Sequence, residues 1–280
     1  MITHLAISGG GSSGIKFAGS LKYLEETNRL DNVQTILGTS IGAIIAVLLS
    51  FCTVDEIINN IKSVQGGLDL SNINLNLFIS EYGFLSKKTF IKSIETILIK
   101  KFNKVLSFQE LYDYSKKEII ISSFNLSKEK IMYFNYKTHP DMLVSTAISL
   151  SINIPFIFEK EVFNNDMYID AGVVNNNISW EYFNDIPSDK KLGIYLYIED
   201  KSRISNNAQI FEYYIYIFKS IYNQSVQLYE KSINLNNEHI FIIKEEITSF
   251  SDKLGVPNDK IFEMLKNGYE EMQIYLKKKV

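Results

Sequence analysis

The stretch VQTILGTSIGAIIAVLL, residues 33–49, predicts a strand, a tight turn and a buried helix in immediate succession. Val33 to Leu37 is typical of a β-strand. The apolar run from Ile41 to Cys52 is shorter than the roughly 20 residues that a membrane span needs, so it predicts a helix buried in a protein core. Between them lies Gly38-Thr39-Ser40-Ile41-Gly42, a Gly-x-Ser-x-Gly sequence.

The serine of this turn is a candidate nucleophile. A sharp strand-to-helix turn lifts the serine Oγ above the sheet, and flanking glycines tolerate the tight backbone. The first N–H groups of the following helix point toward developing negative charge. The alternative is an ordinary turn with a helix-capping serine. Because an apolar strand precedes the turn and an apolar helix follows it, we favour Ser40 as a nucleophile.

A second glycine-rich turn lies upstream, between a strand at His4 to Ser8 and a helix at Ile15 to Leu30. In the loop Gly9-Gly10-Gly11-Ser12-Ser13-Gly14, successive N–H groups can form a concave anion site. It is not a P-loop, because Ile15 stands where that motif has lysine. A dinucleotide site fits poorly, because no acidic residue closes the next strand. An oxyanion hole beside the serine turn is the coherent interpretation.

The rest of the chain alternates helices and strands, which predicts a parallel sheet with helices on its faces. Helices are predicted at 54–64, 87–101, 107–114, 144–151, 211–233 and 259–278, and strands at 118–124, 130–135, 167–170, 192–198 and 239–244. Gln65 to Glu81 is predicted to be an irregular loop, and Gln65 to Leu85 is either a lid or a packed segment. A polar break at Ser202 to Asn207 leaves two alternatives, a helical C-terminal subdomain or lid over 202–280, or one domain over 1–280. We favour one domain.

Composition restricts the classes of function. The chain has 280 residues, of which 46% are hydrophobic, enough for a sizeable core. Its net charge of −3 makes nucleic acid an unexpected partner, because a phosphate footprint needs clustered positive charge. The single cysteine, Cys52, excludes an internal disulfide framework. With no signal peptide or membrane span visible, we expect a cytoplasmic or peripheral membrane location, and unconventional export stays open.

A nucleophilic serine needs a base, and two kinds of candidate are present. Three histidines occur, at His4, His139 and His239, and His239 could complete the serine, acid, histidine order of an α/β-hydrolase triad. None of them has a supporting motif. Asp170 ends a predicted strand at Asp170-Ala171-Gly172, where a carboxylate can face a site. The alternative for Asp170 is an aspartate that closes a strand in an Asx-turn.

Together these segments resemble the patatin-like phospholipase family. The resemblance covers roughly residues 1 to 200 and rests on several motifs that agree in order and spacing. The matching segments are residues 6–14, 19–21, 38–44, 147–158 and 168–176, with a weaker match at Leu265, Gly268, Tyr269 and Leu276.

The resemblance implies a three-layer α/β/α sandwich with a mainly parallel central sheet, and a single acyl hydrolase domain. It implies a serine lipid acyl hydrolase of the phospholipase A type, acting on phospholipids or other acyl-ester lipids without a metal or cofactor. Ser40 would be the nucleophile and Asp170 the base of a dyad without histidine. Gly9, Gly10 and Gly11 would line the oxyanion hole. Peripheral membrane contact is expected, and a protein activator is a further hypothesis.

The chain departs from the family pattern at two points. Ser13 stands where the family usually has lysine or arginine, and Lys16 is a candidate for a related role. The usual Asp-Gly-[Gly/Ala] is Asp170-Ala171-Gly172. Two competing functions are a general serine esterase or protease that uses Ser40 with His239, and a non-catalytic lipid-binding module. The second is disfavoured because both Ser40 and Asp170 are present.

Overall fold

The structure is a computed structural model that describes residues 1–65, 73–175, 182–232, 239–247 and 258–278. The strands within these ranges are β1 (His4–Ile7), β2 (Thr35–Thr39), β3 (Gly83–Leu85), β4 (Glu118–Asn125), β5 (Lys130–Phe134), β6 (Phe156–Phe158), β7 (Glu161–Phe163), β8 (Asp166–Ile169), β9 (Lys191–Asp200) and β10 (Ile240–Ile247). The α-helices are α1 (Ile15–Glu26), α2 (Ile41–Leu49), α3 (Val54–Gln65), α4 (Leu75–Glu81), α5 (Lys88–Phe102), α6 (Phe108–Ser115), α7 (Val144–Ser151), α8 (Ile210–Ser232) and α9 (Asn258–Lys277).

Eight of these strands form one mixed sheet, in the order β10-β9-β1-β2-β4-β8-β7, with β5 also paired to β4. The pairs among β10, β9, β1, β2 and β4 are parallel. The pairs that involve β5, β7 and β8 are antiparallel. Helices flank this sheet, so the prediction of an α/β sandwich with a mainly parallel sheet is confirmed.

The central strands are buried on both faces. Leu5 and Ile36 belong to the main core, which also contains α2 and the buried faces of α1, α5 and α7. Ala6, Leu37 and Ile120 alternate with them along the strands and form a separate cluster on the opposite face. The apolar segment after Ser40 is the buried helix that its composition predicts.

The structure shifts several predicted boundaries, two of which lie before Ser40. Helix α1 ends at Glu26 rather than Leu30, because Asn28 adopts a positive φ of 56° that terminates the helix. Strand β2 begins at Thr35 rather than Val33 and runs to Thr39. The strand therefore ends directly at Ser40, with no residue between strand and turn.

Two further differences concern short elements. Helix α4 lies within the predicted loop, and the Asn74 side chain caps it by accepting a 3.1 Å hydrogen bond from the Leu77 N–H. Residues 66–72 of that loop, which were also part of the candidate lid, lie outside the described residues. Strands β6 and β7 have three residues each and were not predicted.

The chain after the polar break rejoins the main sheet, since β10 pairs in parallel with β9. Helix α9 packs against α1, and the Ser20 hydroxyl donates a 2.9 Å hydrogen bond to the Gly268 carbonyl. Among the helices of the described residues, none combines the length and the apolar character that crossing a membrane requires.

Candidate active site

Strands β2 and β8 approach each other along one edge of β4. Strand β2 runs parallel to β4, and its last paired residue, Thr39, lies opposite Ser122. Strand β8 runs antiparallel, and its last residue, Ile169, lies opposite Phe124. Strand β5 also pairs with β4 at Ser122 and at Phe124, so it occupies the other edge of β4. The ends of β2 and β8 therefore face each other on either side of the register position of Ser123. The residue that follows β2 and the residue that follows β8 are thus brought together.

The first of these residues, Ser40, has a strained backbone. Its φ of 55° and ψ of −124° are rare for a residue with a Cβ. Gly38 and Gly42 permit the turn, because a Cβ on Gly38 would overlap the Gly42 carbonyl and a Cβ on Gly42 would overlap the Ile7 carbonyl. The Ser40 N–H donates a 2.8 Å hydrogen bond to Ser151 Oγ at the end of α7. This close-packed turn holds the Ser40 hydroxyl above the end of the sheet.

The second of these residues, Asp170, is buried against Ser40. Its carboxylate accepts a hydrogen bond from the Ser40 hydroxyl and another, of 2.8 Å, from the Gly172 N–H. Burial raises the pKa of Asp170 from 3.8 to about 6, because it removes water from the charged form. The two hydrogen bonds oppose part of that rise. Asp170 is thus a stronger base than an exposed aspartate and is still mostly ionised at neutral pH.

The glycine loop after β1 lies beside the pair, and Gly9, Gly10 and Gly11 line the same cavity as Ser40 and Asp170. Gly11 has a φ of 54°, which favours glycine. The loop is fixed to β9 through Ser8, whose hydroxyl accepts a 3.0 Å hydrogen bond from the Leu196 N–H and donates one of 2.9 Å to the Gly9 carbonyl.

The cavity has a volume of about 350 Å³. Part of its apolar wall comes from the β6 region and α8 and includes Ile154, Ile157, Ile215 and Phe218. A charged pair lines another part, where the Lys219 ammonium lies 2.9 Å from Asp200 Oδ1. An apolar space with a few polar groups suits an acyl chain attached to a polar head. Within the described ranges, no three histidine, cysteine or carboxylate side chains are grouped as metal ligands would be.

The structure does not bring the histidines to this cavity. His239 precedes β10, at the amino ends of the parallel strands, whereas Ser40 follows β2 at their carboxyl ends. His239 instead lines a separate surface cavity with Met1 and Asp189. His4 contacts Phe183 and His139 contacts Phe134, both edge to face.

Lys16 also points elsewhere. It is buried, forms an ion pair with Glu245 and donates a 3.2 Å hydrogen bond to the Lys244 carbonyl on β10. Among the described residues that line the cavity, Lys16 is not found. The hypothesis that it replaces the missing cation beside the glycine loop therefore gains no support. Ser151 belongs to one of the segments that resemble the family, residues 147–158. Its hydrogen bond to the Ser40 N–H was not predicted from the sequence.

Comparison with known proteins finds one matching family and several relatives. A family model described as patatin-like phospholipase matches residues 5–181. The chain is 34% identical over 190 residues to "Probable lipid hydrolase 463L" of Invertebrate iridescent virus 6, an alignment that covers 64% of this chain and 64% of that protein. It is 28% identical over 270 residues to the uncharacterized protein R571 of Acanthamoeba polyphaga mimivirus, covering 91% of this chain and 88% of that one.

Two solved structures share the fold. VipD from Legionella pneumophila superimposes with a TM-score of 0.54 at 13% identity, over 99% of this chain and 67% of VipD. The type III effector ExoU superimposes with a TM-score of 0.52 at 16% identity, over 99% of this chain and 53% of ExoU. The chain thus spans about half of the ExoU chain and about two thirds of VipD and of the iridescent virus protein.

Proposed function

The chain belongs to the patatin-like phospholipase family, and we propose that it is a phospholipase A-type serine hydrolase that cleaves fatty-acyl esters of phospholipids. The family and the name of the viral relative support lipid hydrolysis in general. The observation that carries the finer proposal is the hydrogen bond from the Ser40 hydroxyl to a buried Asp170, in an apolar cavity shared with the glycine loop.

In the proposed reaction, Asp170 accepts the Ser40 proton while Oγ attacks the carbonyl carbon of the ester. The N–H groups of Gly10 and Gly11 hold the oxyanion. The ester C–O bond then breaks, the lysophospholipid alcohol leaves with the proton from Asp170, and an acyl-enzyme remains on Ser40. Asp170 next takes a proton from water, which attacks the acyl group. The fatty acid leaves and Ser40 regains its proton.

The raised pKa of Asp170 supports its role as the base. An aspartate with an ordinary pKa of 3.8 is a weak proton acceptor, whereas a pKa of about 6 lies close to working pH. Every proton in this sequence of steps is held by Ser40, Asp170, water or the leaving alcohol.

We propose that the active site meets its substrate at a bilayer surface, as a peripheral contact. One face of α8 lines the cavity with Ile215 and Phe218. The opposite face exposes large apolar side chains at helical spacing, namely Ile210, Tyr213, Ile217 and Ile221. One apolar face of α8 lines the cavity and the other is exposed to solvent. Contact of the exposed face with a bilayer would therefore place the cavity beside the lipid. Leu75 and Ile79 of the neighbouring α4 are also exposed and add to this apolar surface.

We further propose that residues 1–280 form one domain, with α8 as a cavity wall rather than a separate unit. The pairing of β10 with β9 and the packing of α9 on α1 support this organisation. A protein activator is a separate hypothesis. Full vesicle hydrolysis by the purified chain, unchanged by added cell extract, would contradict it.

A fluorophosphonate probe tests the nucleophile and its base together. We expect the wild-type chain to be labelled at Ser40, located by mass spectrometry of the tryptic peptide. D170N should label much more slowly because its amide cannot take the proton, and H239A should label at the wild-type rate. Fast labelling of a folded D170N together with loss of labelling in H239A would overturn the dyad in favour of the histidine alternative.

A further inference from the structure

Asn153 holds the end of β8 at two points. It is buried between α7 and β6, and its side-chain amide donates a 2.8 Å hydrogen bond to the Tyr168 carbonyl. Its main-chain carbonyl accepts a 2.9 Å hydrogen bond from the Asp170 N–H. The two bonds flank Ile169, the last residue of β8. Asn153 therefore fixes the backbone from which the Asp170 carboxylate extends.

The Asn153 amide is in turn oriented by a buried lysine. Lys87, between β3 and α5, has only 2% of its surface exposed. Its ammonium donates a 2.7 Å hydrogen bond to Asn153 Oδ1 and lies 2.6 Å from Glu161 Oε2. Because Asn153 Oδ1 accepts the hydrogen bond from the Lys87 ammonium, the amide nitrogen must point to the Tyr168 carbonyl. Lys87 thereby selects the orientation in which Asn153 can hold β8.

Glu161, the ionic partner of Lys87, is also a neighbour of β8. It lies on β7 directly opposite Tyr168 of β8. Tyr168 is thus paired with Glu161 of β7, and its carbonyl accepts the hydrogen bond from the Asn153 side chain. Desolvation lowers the pKa of the Lys87 ammonium and the Glu161 carboxylate opposes that change. Burying an ammonium is unfavourable, and a well-packed apolar side chain of the same size can be as stabilising or more so. Stability alone therefore gives no reason for a lysine at this position.

We propose that Lys87 and Asn153 are positioning residues for catalysis, with Lys87 orienting Asn153 and Asn153 setting the place of Asp170 relative to the Ser40 hydroxyl. The inference rests on the proposed function, because it concerns the reaction of the Ser40–Asp170 pair. Neither residue lines the cavity within the described part of the chain. Their effect should therefore fall on turnover rather than on substrate binding. A displacement of about 1 Å in a reacting group can slow a reaction by about a hundredfold.

The test compares N153A, K87M and the double variant with the wild type in hydrolysis of a water-soluble p-nitrophenyl acyl ester. We expect both single variants to lower kcat by about tenfold to a hundredfold, with KM within about twofold. K87M is the second route to the answer if N153A folds poorly, because methionine has the reach of lysine and needs no ionic partner. The double variant should lose no more than N153A, because the two residues act in series.

A matched control separates positioning from loss of stability. Asn135 is equally buried, and its side chain accepts hydrogen bonds from the Lys137 and Thr138 N–H groups. None of the hydrogen bonds that Asp170 makes with other described residues involves this turn. N135A should lower the melting temperature by an amount similar to N153A and leave kcat within about twofold. An equal loss of kcat in N135A would reduce the role of Asn153 to general stability and overturn the proposal.

The remaining outcomes distinguish this inference from the proposed function. Wild-type kcat in folded N153A and K87M, with a wild type that takes a fluorophosphonate label at Ser40, would overturn the positioning role alone. Losses that multiply in the double variant would contradict the action of Lys87 through Asn153. A wild type that neither hydrolyses the ester nor takes the label would overturn the proposed function, and the positioning role with it.

Discussion

The Ser40 hydroxyl is hydrogen-bonded to the Asp170 carboxylate because their strands run toward each other along one edge of β4. Ser40 follows a parallel strand and Asp170 an antiparallel one. A parallel strand in the place of β8 would carry its following residue away from Ser40. The mixed direction of the sheet is therefore the feature that brings these two side chains together.

Hydrolysis should depend on the ionised form of Asp170. Its pKa is raised to about 6, and the proposed mechanism makes the carboxylate the proton acceptor, so activity should be present above that pH and lost below it. We expect kcat/KM on a water-soluble ester to fall about tenfold for each pH unit below about 6. The profile should be measured from pH 4.5 to 8.5, with circular dichroism at each point to verify folding. H239A should show the same inflection. A profile that stays level to pH 4.5, or an inflection lost in H239A, would contradict the assignment.

Removing the buried charge should stabilise the chain while abolishing turnover. The pKa of Asp170 is 3.8 in its ordinary state and about 6 when folded, so the folded state binds this proton more tightly. Wild-type stability therefore decreases as pH rises from about 4 to about 6, and the loss is complete above that range. D170N should be more stable at pH 8 by on the order of 3 kcal/mol, with a smaller advantage at pH 5. Urea unfolding at both pH values measures this. An advantage that grew toward low pH would show that Asp170 is stabilised as the carboxylate.

Two glycines in the two turns should respond differently to alanine. A Cβ on Gly38 would overlap the Gly42 main-chain carbonyl, which cannot move without opening the turn. We expect G38A to be destabilised by about 3 kcal/mol or more, or not to fold. A Cβ on Gly10 would meet the Leu196 side chain, which can rotate. G10A should fold but lose at least about tenfold in kcat, since it alters one of the proposed oxyanion donors. Unfolding and ester kinetics on the pair decide this, and an active G10A would remove Gly10 from the oxyanion hole.

The exposed stripe on α8 should matter for vesicles only. The double variant I217D/I221D places two charges on the outward face of a helix whose inward face lines the cavity. We expect at least about a tenfold lower rate on phospholipid vesicles and an unchanged rate on a water-soluble ester. The matched control is I274D, because Ile274 is similarly exposed on α9. Equal rates of I217D/I221D and I274D on vesicles would contradict docking through α8.

Much of the fold could be predicted because its signals are local. The helices that begin at Val54 and Val144 and the hairpin of β4 and β5 follow from periodicity and turn residues. The serine turn and the glycine loop could be predicted because tight backbone geometry requires glycine at fixed spacing. Strands of three residues, such as β6 and β7, are too short to show a period.

What the sequence could not predict depends on contacts between distant segments. The direction of β8 and its register with β4 depend on strand pairing, which the spacing of residues along the sequence does not encode. Lys87 reads as an ordinary exposed lysine at a helix start, since charged residues are mostly at the surface, yet it is buried against Asn153. The placement of His239 at the opposite end of the sheet from Ser40 is likewise a consequence of topology.

The most direct measurement is fatty-acid release from mixed phospholipid vesicles by the purified wild type and by S40A, after both have been shown to fold. We expect release by the wild type and none above background by S40A, because Ser40 Oγ is the proposed attacking atom. Equal release by the two proteins would contradict Ser40 as the nucleophile and with it the proposed mechanism.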